Sequence, residues 1–253
     1  MVVSVAAIAA IGHMSLEQNA PAVQAARRRL PALASRDLAL DLAERAAVLA
    51  LFALFVHRLL PQLAGLVLIE RVHPELLWQA ADINAQVLLL VIAEGLGVAL
   101  ILARRRSATL SAHPLDWGLA FGAVSLPLLL TTPAPAATLV PAFATTGLML
   151  LGLLVQISAK LALWRSFGVV PANRGVKTRG PYRLLRHPMY AGYTLTHIGF
   201  LIGFPSLANT LLYAAVLALN VARILREEAI LTHDAGYRAY ATRVRFRLLP
   251  GLF

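Results

Sequence analysis

Cysteine is absent from the chain, and its absence removes a disulfide framework, a thiolate nucleophile and any cysteine-ligated metal. Charge is scarce as well: 14% of the residues are Asp, Glu, Lys or Arg, against about 25% in an ordinary globular domain. Lysine is almost missing, since only Lys160 and Lys177 contribute to the 23 basic residues. With its abundant alanine and leucine, that bias suggests a GC-rich bacterial gene. No repeat or low-complexity linker divides the sequence into domains, and no metal ligand set is assigned.

Apolar residues take up the space that charge leaves. The 253 residues are 59% hydrophobic, with a mean hydropathy of +0.72. Apolar runs of about 20 residues recur, each long enough for a hydrocarbon core of about 30 Å. They predict spans near 38–60, 83–103, 115–131, 138–164, 190–204 and 207–225. The expectation is an all-α, polytopic integral membrane protein of about five to six transmembrane helices, forming one integral domain. The first span is the weakest, because Asp41, Glu44 and Arg45 lie near its start and His57 and Arg58 near its end. "GFPSLAN" (203–209) is too short for anything but a tight hairpin between the last two spans. "TTPAPAA" (131–137) is turn chemistry. The apolar start "VVSVAAIAAIG" has no basic residues before it and is too short to span. Residues 1–37 are therefore read as an interfacial or poorly ordered arm, 38–164 as the N-terminal helices, and 165–253 as a region carrying the chemistry.

The net charge of +11 raises the question of nucleic acid, and the positions answer it. Arg27, Arg28, Arg29 and Arg36 precede the first span, and Arg104, Arg105 and Arg106 follow the second. Six basic residues lie from Arg165 to Arg186 and six more from Arg223 to Arg247, whereas the loops 61–82, 132–137 and 205–206 hold only Arg71. One alternating topology puts both termini and nearly all the positive charge in the cytoplasm. Orientation and anionic headgroups account for the basic excess, and membrane lipids rather than nucleic acid are the expected partners.

Polar residues inside or beside the spans are the candidates for function. Glu94 in "IAEGLGVAL" sits between apolar neighbours, and Gly95 and Gly97 favour close helix packing, so a partner on another helix is expected for it. Lys160 lies near the end of its span, where it can snorkel to the surface or meet a substrate. "WRSFGVVPANRGVKTRGPYRLLRHPMYAG" (164–192) is built of turns, with a helix permitted to start at Pro188. The N–H groups of that helix start suit a carboxylate, although a basic headgroup anchor reads equally well there. Farther on, Asn220, Arg223 and Glu227 share one helical face, with Glu228 on the adjacent strip. Both clusters fall at the same depth, where spans meet the cytoplasm.

Together, "GPY" with "RHPMYAG", Asn209, "RILREE" and "GYRAYATRVRFRLLPG" resemble the isoprenylcysteine carboxyl methyltransferase family and its phospholipid-methylating relatives, over about residues 150–253. The resemblance implies S-adenosylmethionine-dependent methyl transfer to a lipophilic acceptor at the cytoplasmic membrane face. It implies that His187, Pro188, Tyr190 and Gly192 lie against S-adenosylmethionine, that Arg223, Glu227 and Glu228 complete its enclosure, and that Arg223 and Glu227 carry the catalytic roles. A carboxylate acceptor needs no general base and would be oriented by Arg223; an amine would need Glu227, Glu228 or His187 to take a proton. No Gly-rich fingerprint supports a soluble-type methyltransferase fold. The alternatives are an NADPH-dependent membrane reductase of the sterol type, which shares an "RHP"-like element, and a non-enzymatic membrane scaffold.

Overall fold

The computed structural model describes residues 20–72, 81–106, 110–130, 140–251 and 253. Expectations for residues 1–19 and for the turn 131–137 lie outside these. Among the described residues there are seven α-helices and no strand, in line with the all-α reading. They are α1 (Ala20–Val72), α2 (Ala81–Ala103), α3 (Pro114–Ser125), α4 (Ala142–Leu163), α5 (Pro188–Gly203), α6 (Leu207–Leu231) and α7 (Ala235–Arg243). Two stretches, Ala142–Ser166 and Leu207–Leu231, are long and apolar enough to cross a membrane. Val87–Ala103 and Pro114–Leu129 are apolar but shorter. Within the segment read as an arm, residues 20–37 are helical, since α1 begins at Ala20 and runs 53 residues.

Local chemistry explains the helix starts. Pro188 opens α5 at its first position, where its missing N–H is no loss. The Ser206 hydroxyl accepts from Asn209 N at 3.1 Å to cap α6, so the α5–α6 connection is the expected tight hairpin. Asp234 caps α7, accepting from Gly236 N at 2.7 Å and Tyr237 N at 3.3 Å.

The most extensive packing joins α4 to α5, and it is glycine that permits it. A Cβ on Gly192 would stand 2.7 Å from the carbonyl oxygen of Gly152, closer than side chains allow. Gln156 Nε2 donates to Thr196 Oγ1 across the same seam at 3.0 Å. Small residues bringing backbones together, with polar pairs beside them, are the usual means of joining helices where lipid removes the hydrophobic drive.

Lys160 does not snorkel. Its side chain is 1% exposed and its Nζ meets Glu94 Oε1 at 3.0 Å, donating also to the Ala93 carbonyl at 2.7 Å. Gly97 lies beside it: a Cβ there would stand 3.4 Å from that nitrogen, in ordinary contact. Two acceptors inside the protein outweigh the pull of solvent. Glu94 thereby has its partner on a neighbouring helix.

Of the residues that weakened the first predicted span, those near its start face protein, whereas His57 and Arg58 near its end are exposed. Asp41, Glu44 and Arg45 stand at i, i+3 and i+4 on α1 and meet Arg104 just beyond α2. Arg104 bridges Asp41 Oδ1 and Glu44 Oε2, both at 2.7 Å, while Arg45 pairs with Asp41 at 2.8 Å. Arg104 is thus a buried ion-pair partner, in addition to any part it plays in orientation.

Candidate active site

Between α4 and α5 the chain forms no long helix. Trp164–Ser166 and Gly180–Arg183 are single 3₁₀ turns, and the segment between them is irregular. It lines a cleft with Gly168, Arg174 and Lys177, facing His187 and Tyr190 at the start of α5, Glu227 near the end of α6, and Tyr237 and Tyr240 on α7. An irregular backbone needs outside partners for its polar groups. Glu44 supplies them from α1: its Oε1 accepts from Val169 N at 2.8 Å and Val170 N at 3.0 Å. Its Oε2 pairs with Arg174 at 3.2 Å. From the other side, Arg223 Nη2 donates to the Val169 carbonyl at 3.1 Å, and Asn173 Nδ2 donates to Asp234 at 2.9 Å.

The opposite wall is organised by Glu228. Its carboxylate meets Arg186 at 2.9 Å, His187 Nε2 at 3.2 Å and Arg247 at 2.8 Å, and accepts from the Tyr237 hydroxyl at 3.0 Å. The C-terminal tail docks here through Arg186 N to Phe246 O and His187 N to Arg247 O, both 2.9 Å. Tyr240 closes the corner by donating to the Tyr182 carbonyl at 2.8 Å. Burial pushes the Tyr240 phenol up to about 12, so it stays a donor across the physiological range. Burial raises the Tyr182 and Tyr237 phenols as well.

Of the residues singled out in the sequence, His187, Tyr190 and Glu227 line the cleft. The other four stand behind its walls. Pro188 is buried at the first turn of α5, and Gly192 faces α4 against Gly152 and Gln156. Arg223 is absorbed in the frame: Nη1 donates to Asn220 at 3.2 Å, and its guanidinium lies 5.2 Å from the Tyr190 ring centroid. It makes no ion pair with Glu227. Glu228 is saturated by the partners just named. Glu227, by contrast, accepts a single long contact from the Tyr190 hydroxyl at 3.4 Å, which leaves most of its carboxylate available to a ligand.

Glu44 and Arg174 were not picked out as site residues in the sequence. For Glu44 a signal was present but pointed elsewhere: with Asp41 and Arg45 it read as a weakness of an otherwise apolar span. Nothing local says that this face meets a loop more than 120 positions away.

The chemistry of this donor set fits an S-adenosyl ligand. A largely unengaged carboxylate suits an ammonium or ribose hydroxyls, tyrosine faces suit a sulfonium, and Arg174 and Arg186 each keep a buried Nε without a hydrogen-bond partner. No curated protein gives a significant match to the chain. Residues 140–237, which build most of this cleft, are similar to the phospholipid methyltransferase family model, in keeping with the resemblance seen in the motifs.

Proposed function

We propose that the protein is an S-adenosylmethionine-dependent methyltransferase acting on a lipophilic acceptor, a lipid or prenylated molecule with a carboxylate or amine, at the cytoplasmic face of a bacterial inner membrane. The observation that carries the proposal is the cleft itself. It sits where two membrane-length helices end, and it joins a polar wall holding Glu227 to a tyrosine-rich floor. When bound, S-adenosylmethionine supplies a methyl group already activated by the sulfonium.

The protein's own residues then have three tasks. Glu227 binds hydroxyl or ammonium donors of the ligand. Tyr190, held between the Arg223 guanidinium and the Glu227 carboxylate, presents its ring to positive charge and excludes water. Glu228 acts one step back, fixing His187, Arg186 and Tyr237 so that the walls keep their spacing; orientation of this kind supplies most of what a transfer from an activated donor needs. The acceptor's tail reaches the cleft from the lipid, its headgroup from the interface. In this reading the shorter apolar helices complete a bundle of five to six spans with both termini cytoplasmic.

A thermal-shift titration of the purified protein with S-adenosylmethionine, S-adenosylhomocysteine and NADPH tests the reading. A ligand that binds only the folded state raises the melting point. Stabilisation by the two adenosyl ligands supports a methyltransferase, and stabilisation by NADPH alone replaces it with a reductase.

A further inference from the structure

One face of α4 is left without a protein neighbour. Phe143, Leu151, Leu154 and Leu161 are exposed along it at helical spacing. The stripe follows a helix long and apolar enough to cross a membrane. It ends at Trp164, which is 56% exposed, with Arg165 exposed beside it. Apolar side chains, then an indole, then a guanidinium follow the order of hydrocarbon, interface and water in a bilayer. Among the described residues the Trp164 indole makes no hydrogen bond and no ring contact with the protein. Its N–H and its faces are therefore open to a partner outside.

Trp164 is also where the backbone is strained. Its φ of 49° and ψ of −126° fall where a Cβ is resisted and glycine is the usual occupant. Among the described residues no other non-glycine has a positive φ. This torsion turns the chain out of α4 and into the loop that lines the cleft. Fixed points on both sides impose it. Before it, Lys160 donates to the Ala93 carbonyl on α2 at 2.7 Å. After it, Arg165 Nε donates to the Ala103 carbonyl at 3.1 Å, and the Arg165 carbonyl accepts from Arg105 N at 3.0 Å. These ties require the turn and do not require a tryptophan, since glycine would adopt it with less strain. What favours the indole is outside the turn.

We propose that Trp164 anchors the cleft loop to the lipid–water interface. Its ring seats in the headgroup layer, where an amphipathic ring is favoured, and so holds the strained turn through which the chain enters the cleft. The bilayer is then a structural partner of the cleft, whatever reaction the cleft carries out.

The test uses the full-length protein in nanodiscs. The Trp164 emission is read as the difference between wild type and Trp164→Phe, with and without lipids brominated near the headgroup. Strong quenching of that difference is expected, and its absence would place the ring outside the interface and overturn the proposal. Melting of two further variants tests the strain. Trp164→Ala loses the ring and keeps the strained turn, and should melt about 2–4 °C or more below wild type. Trp164→Gly loses both and should melt above Trp164→Ala, the reverse of their order at an ordinary helical position. Glycine at or below alanine would overturn the proposal. Failure of Trp164→Ala to fold where Trp164→Gly folds would give the expected order, and the quenching measurement needs neither variant. Hydrogen exchange separates an anchored loop from general stability. In Trp164→Ala the Val169 and Val170 amides should exchange faster, while the α5–α6 hairpin keeps its wild-type protection. Unchanged exchange at those amides, or equal acceleration throughout the protein, would count against the anchor.

Discussion

Glu44 and Glu228 hold corresponding posts on the two sides of the cleft, one on α1 and one on α6. Each is a buried carboxylate gathering more than one cation, and each fixes a stretch of backbone that has no helix to support it. Their surroundings differ in one respect. The Glu228 cluster includes Arg247, which is 33% exposed, so water can take up part of its positive excess. The Glu44 cluster is more enclosed: Arg45 is 18% exposed, and its Arg104 and Arg174 side chains are nearly sealed from solvent. One carboxylate thus organises a rim, the other a more enclosed charged interior. Glu227, next to Glu228 in sequence, belongs to neither network and is the carboxylate that stays available.

This contrast predicts a ranking. Glu44→Ala should have the largest effect on stability: it strands Arg104 and Arg174 in the interior and orphans two backbone N–H groups, costing about 3–5 kcal/mol on the scale of a broken buried pair. Denaturant unfolding in mild detergent would show it, and a loss under about 1 kcal/mol would dissolve the distinction between the two clusters. Glu228→Gln should cost less, about 1–3 kcal/mol, because Arg247 can turn to water and an amide still accepts from Tyr237.

Gly192→Ala tests the seam rather than the charges. The added methyl would have to push α5 from α4, for about 1–3 kcal/mol of overpacking strain; an unchanged melting temperature would argue that Gly192 serves the ligand instead. Glu227→Gln should be the mildest for the fold, within about 0.5 kcal/mol as for a substitution that breaks no network. It should nonetheless weaken S-adenosylhomocysteine binding about tenfold or more. Isothermal titration beside a melting curve separates the two effects, and a destabilised variant with full affinity would reverse the roles given to Glu227 and Glu228.

Much of this was legible in the primary structure. The helical class, the tight α5–α6 hairpin and the helix start at Pro188 follow from hydropathy, chain length and the fixed geometry of proline. Glu94 next to two glycines correctly announced a partner on another helix. The partner itself was misread: Lys160 lies near a helix end, and only the packing of α2 against α4 shows that carbonyl and carboxylate acceptors reach it before water does. Arg223 was legible as a polar residue of the site, and its contacts with Asn220, Val169 and Tyr190 tie it to the frame of the cleft.

Composition and spacing by themselves determined an apolar, helical chain with its polar chemistry gathered at one border, because burial preference and helical period are properties of the residues in order along the chain. Which of those polar groups keep free capacity toward the cleft was decided by tertiary structure alone. Glu227 and Glu228 are adjacent and chemically identical, and what distinguishes them is the set of cations that reaches one and not the other. Those cations come from the start of α5 and the C-terminal tail, just as Glu44 reaches Arg174 from the first helix. Contacts between segments so far apart leave no local pattern; they exist only once the helices have packed.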